Sequence, residues 1–87
     1  MIRDTVKVAS PMGLNMVVAG ILVEKAVGFT STIQFEKGGN AYNAKSVLSV
    51  LGAGVTTGET IELICNGEDE EDAFDTIADF LEAEIGE

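Results

Sequence analysis

Short stretches of alternating apolar and polar residues interleave with apolar-rich helical stretches along this chain, in an order that predicts β-α-β-β-α-β-α. Thr5-Val6-Lys7-Val8 alternates and reads as a first strand ending at Ala9-Ser10. The loop Ser10-Pro11-Met12-Gly13-Leu14-Asn15 follows, with Pro11 and Gly13 holding the chain out of helix and Asn15 a favoured N-cap. From Met16 to about Val27 a helix is expected that is apolar on almost every side, with Glu24 and Lys25 its only charges and Gly28 its stop. One sheet face would not bury that much apolar surface, so part of it reads as a contact surface. Thr30 to Glu36 alternates again, Lys37-Gly38-Gly39-Asn40 turns the chain, and Ala41-Tyr42-Asn43 completes a β-hairpin. Lys45 to Leu51 reads as a short helix capped by Ser46 and closed by Gly52 and Gly54. A strand opening at Gly58-Glu59 places Ile61, Leu63 and Cys65 on one face and Glu62 and Ile64 on the other. Asp69 to about Ile85 is an amphipathic helix with Ala73, Phe74, Ile77, Ala78, Leu81 and Ile85 on its apolar side and Asp69 as the expected cap.

Composition adds limits to this outline. With 87 residues, one domain spanning residues 1–87 is expected, large enough for a two-layer core. The single cysteine excludes an internal disulfide, and with no histidine the usual Cys/His zinc site has no ligands. No signal-peptide core precedes the first strand, and the longest apolar run, Met16 to Val23, is far shorter than the ~20 residues of a membrane span, so a cytoplasmic location is expected. The net charge of −10 is unevenly placed: up to residue 58 five bases meet three acids, and beyond it stand twelve acids and no base. Such a field disfavours nucleic acid and anionic membranes and favours a partner with a basic docking face. The acidic run Glu68 to Asp72 falls where a helix dipole favours negative charge, which accounts for much of it.

The chemistry available is narrow. The helix starts at Asn15 and Ser46 each offer unpaired backbone N–H groups and the positive end of a helix dipole, a setting that holds an anion without a basic side chain. Gly38-Gly39 and Gly52-Ala53-Gly54 are turns, too short for a phosphate-binding fingerprint. No acid, base and nucleophile are spaced for catalysis, and no cofactor is implied. A binding module is expected rather than an enzyme.

Three segments, Gly13-Leu14-Asn15-Met16-Val17-Val18-Ala19, Asn43-Ala44-Lys45-Ser46-Val47-Leu48 and Gly67-Glu68-Asp69-Glu70-Glu71-Asp72-Ala73, resemble the corresponding segments of the HPr family of phosphocarrier proteins. The likeness is collinear from about residue 2 to 86. It implies an α+β, open-faced β-sandwich: a four-stranded antiparallel sheet in order 1-4-2-3 with three helices on one face. The family histidine that accepts phosphate from the phosphoenolpyruvate-driven Enzyme I aligns with Asn15. An asparagine amide has its lone pair delocalised into the carbonyl and cannot take that role. The aligned arginine and proline are replaced by Val17 and Val18, which removes the cation that would pair with phosphate. Ser46 matches the serine that a dedicated HPr kinase phosphorylates in many Gram-positive bacteria, creating a face that docks on a catabolite-control transcription regulator. A lost histidine beside a retained serine resembles the catabolite-repression branch of the family, although that branch keeps the arginine where this chain has Val17.

Two readings follow, with the phosphocarrier itself a weaker third. In the first, the chain is a regulatory module that docks to its partner and is switched at Ser46, with Met12, Asn15, Met16, Val17, Val47, Leu48 and Leu51 as the partner face. In the second, the same apolar residues serve a phosphorylation-independent scaffold or a homodimer.

Overall fold

A computed structural model describes residues 1–83 of the chain. Its elements are β1 (Ile2–Lys7), α1 (Met16–Ala26), β2 (Thr32–Lys37), β3 (Asn40–Asn43), α2 (Val47–Gly52), β4 (Thr60–Asn66) and α3 (Glu70–Glu82). The strands form one antiparallel sheet in the order β1-β4-β2-β3, as the resemblance implies. Helix α3 packs over β1 and β4, and α1 packs between α3 and α2. Val6, Leu22, Ile33, Phe35, Ile61, Leu63, Ile77 and Leu81 fill the layer between sheet and helices.

Several boundaries move because pairing decides them. β1 begins at Ile2 rather than Thr5, since Ile2, Arg3 and Asp4 pair with Cys65, Ile64 and Leu63 of the long central strand. Two adjacent charges had masked the alternation there. β2 begins at Thr32, because the N–H groups of Thr30 and Ser31 donate to the Asp69 carboxylate instead of to a neighbouring strand. In the hairpin Lys37 pairs with Asn40, leaving a two-residue turn in which Gly38 and Gly39 have φ of 59° and 84°. Both values lie in the left-handed region that glycine adopts without strain.

The helix ends depart from expectation in two places. α1 does not stop through a left-handed Gly28: Val27 closes it in right-handed geometry, and Gly28 and Phe29 tighten the exit with N–H bonds to Lys25 and Ala26. Asp69 stands at the start of α3 but makes no side-chain cap, because its carboxylate turns away to Thr30 and Ser31. Ile85, the expected last apolar position of α3, lies outside the described residues. Ile64 lies on the uncovered sheet face yet is only 6% exposed. Arg3 and Gln34 stand opposite it on the two flanking strands, so their stems cover it.

Loop ties set the direction of α2 against α1. Leu14 N–H donates to the Val55 carbonyl at 3.0 Å, joining the entry of α1 to the exit of α2. At the other end Lys45 Nζ reaches the Phe29 carbonyl at 2.7 Å, joining the entry of α2 to the exit of α1. The two helices therefore run antiparallel.

Candidate functional site at the starts of α1 and α2

Asn15 precedes α1 in extended backbone, and its Oδ1 accepts the Val18 N–H at 2.9 Å while its carbonyl accepts the Ala19 N–H at 2.7 Å. One of the unpaired donors of the first turn is thus occupied by the chain itself. The loop before it is held by Gly13, whose φ of 63° places it against the Val55–Thr56 backbone. A Cβ there would sit 2.8 Å from Thr56 Cα.

Ser46 caps α2 in the same manner. Its Oγ accepts the Ser49 N–H at 3.2 Å, and the side chain is half-buried. Asn43 prepares this turn: its Oδ1 accepts the Lys45 N–H and its carbonyl accepts the Ser46 N–H. Because α1 and α2 are antiparallel, Ser46 lies beside the last turn of α1 and Asn15 beside the exit of α2, so the two helix starts stand at opposite ends of the pair.

Exposed apolar side chains stand at both starts. Met12, Met16, Val17, Val47 and Leu48 are exposed, Leu48 to 84%. Leu51 is only half-exposed and packs against the core, and Asn15 is likewise half-buried. Val17, Gly20 and Glu24 follow one another on a single stripe of α1, three and four residues apart, and all three are exposed.

The side chains that support the face were not legible in the sequence. Lys37 Nζ donates to the Ala53 and Gly54 carbonyls at 3.0 and 2.8 Å, neutralising the exit of α2, and pairs with Glu59 at 3.1 Å. The Thr56 N–H, then Lys37, holds the Glu59 carboxyl below its usual range. Asp69 is held at about 2, first by the Ser31 hydroxyl and then by the Thr30 N–H. Glu70 is lowered by the Gly67 N–H and by the terminal amine of Met1. Burial, with Glu70 and Asp69 nearby, pushes the Cys65 thiol up to about 11, so it stays a neutral core group and not a nucleophile. Asp69 and Glu70, at the start of α3, fasten that helix to the Thr30–Ser31 segment and to the terminal amine of Met1.

A four-stranded antiparallel sheet covered on one side by three helices, with capped helix starts at Asn15 and Ser46, defines a small α+β domain of the phosphocarrier type. The family model for the PTS HPr component phosphorylation site matches residues 2–83, and the chain belongs to the HPr family. It is 35% identical to the HPr-like protein Crh of Bacillus subtilis over 85 residues, 98% of this chain and all of that protein. A solved structure of HPr-C-His from Thermoanaerobacter tengcongensis superposes with a TM-score of 0.93 at 33% identity, covering 100% of this chain and 98% of that one. A crystal structure of Bacillus subtilis Crh, described as a swapped, intertwined dimer, superposes with a TM-score of 0.79 at 35% identity, covering 98% of both chains. Among the described residues no helix is long and apolar enough to cross a membrane.

The bond that closes this helix start uses the Val18 backbone N–H, which any residue except proline could supply at that position.

Proposed function

We propose that this protein is a regulatory member of the HPr family that no longer carries phosphate and acts by docking the α1–α2 face onto a partner, under the control of Ser46. The observation that carries this reading is the chemistry at the family's histidine position. Asn15 has no nucleophilic nitrogen, its oxygen is committed to Val18, and the chain contains no histidine to replace it. The likeness to Crh supports the same direction. Ser46 starts a short helix at the edge of the exposed apolar residues, where a phosphate would place two negative charges beside Val47 and Leu48 without unfolding the turn. An HPr kinase would add that phosphate, and a catabolite-control transcription regulator in the cytoplasm would read it.

Intact-mass analysis tests the proposal after parallel incubation with Enzyme I plus phosphoenolpyruvate and with HPr kinase plus ATP. One phosphate from the kinase alone, absent in Ser46→Ala, is the expected result. Phosphate from Enzyme I would restore the phosphocarrier reading, and no phosphate in either reaction would remove Ser46 as the switch. Self-association, the arrangement described for Crh, is read in the same preparations by light scattering across a concentration series.

A further inference from the structure

Of the charges beside the α1–α2 face, the lysines keep their charge but make contacts within the fold, whereas Glu24 forms no ion pair among the described residues. Four of the five basic side chains are engaged within the fold. Arg3 bridges Glu36 and Glu62, Lys37 closes the exit of α2, Lys45 holds the Phe29 carbonyl, and the Lys25 amine lies 5.5 Å from the centre of the Phe80 ring. Lys7, the fifth, alternates with core-facing Val6 and Val8 and so falls on the uncovered side of the sheet with Arg3, away from the helices. Among the described residues, Glu24 has no cationic partner, and it shares the exposed stripe of α1 with Val17 and Gly20. On the far side of α1 lies α3, whose exposed positions include Glu71, Asp72, Asp75, Asp79 and Glu82.

Resting on the docking reading above, we infer that the partner is a protein surface that combines apolar side chains for Val17, Val47 and Leu48 with a lysine or arginine directed at Glu24. Apolar contact supplies the burial, and the anionic flank supplies orientation and steering. An acidic partner would meet Glu24 and the α3 acids with like charge. A second copy of this chain set face to face would present Glu24 and the α3 acids from both sides, with only lysines already held by contacts in their own fold to answer them on that side. Gly20 carries no side chain and has no neighbour within 4 Å of its Cβ position, leaving a shallow notch between Val17 and Glu24 where a lysine or arginine stem can lie.

Two helical peptides with one shared leucine-rich face, carrying either lysine or glutamate on the other, test this by amide chemical-shift titration of the whole protein. The lysine peptide is expected to move the amides of Val17, Gly20, Glu24, Val47 and Leu48, and the glutamate peptide to leave them in place. Glu24→Lys, at an exposed position that does not touch the core, should weaken the lysine peptide roughly 3- to 10-fold, and Leu48→Ser should weaken it as well. If both peptides bind the face equally, docking stands and the basic partner is refuted. Shifts confined to α3, or no shifts with either peptide, overturn the inference and withdraw support from the docking face itself.

Discussion

Gly13→Ala tests whether the loop before α1 is positioned by close backbone contact. Gly13 has φ of 63°, and a Cβ built there lies 2.8 Å from Thr56 Cα and nearer still to the Val55 carbonyl oxygen. Alanine in left-handed backbone costs about 1–2 kcal/mol. Forcing the Val55–Thr56 segment aside adds about 1–3 kcal/mol, as other overpacked sites do. Restricting the unfolded chain returns about 0.4–1 kcal/mol, leaving a net loss of roughly 2–4 kcal/mol. Gly38 is the internal control, with φ of 59° and nothing within 4 Å of its Cβ position. Gly38→Ala meets only the backbone cost and should lose about 1 kcal/mol. For a domain of this size each kcal/mol moves Tm by about 4–8 °C, so thermal melts by circular dichroism should separate the two variants by roughly 5–25 °C. Equal melting temperatures would refute the argument, because they would show that the loop yields to a methyl group and does not fix the position of Asn15.

Two further outcomes follow from single side chains. Gly20→Ala fills an exposed, contact-free position inside α1 and should raise stability by about 0.8–1 kcal/mol, read as a higher Tm; a lower Tm would mean that α1 needs flexibility there. Asp69 has its carboxyl lowered from 3.8 to about 2 by Ser31 and Thr30, so its contribution is present above the unfolded value and is lost as pH falls through about 2. Acid titrations of Asp69→Asn should accordingly show a shallower loss of stability below pH 4 than the parent protein, and parallel curves would remove Asp69 from that role.

Much of the architecture was legible because it rests on local rules. The alternation at Ile33 and Phe35, the Gly38-Gly39 turn and the spacing of Ala73, Ile77 and Leu81 each specify an element without help from distant residues. Asn15 and Ser46 sit where their chemistry predicts, because a capping side chain bonds only three residues ahead. The absence of a histidine nucleophile is equally local, since it follows from which atoms a side chain owns.

Local residue order therefore set the period of each segment, most of its caps and turns, and the absence of a histidine nucleophile. Folding settled what depends on a partner far along the chain: the extension of β1 to Ile2 along β4, the burial of Ile64 beside Arg3 and Gln34, the turning of Asp69 from its own helix to Ser31, and the engagement of four cations, none of which pairs with Glu24. Periodicity and capping act over one to four residues, whereas the pairing of β4 with β1 and β2 and the ion pairs join groups 22 (Lys37 to Glu59) to 69 (Met1 to Glu70) residues apart here, and only the folded chain brings such groups within bonding distance.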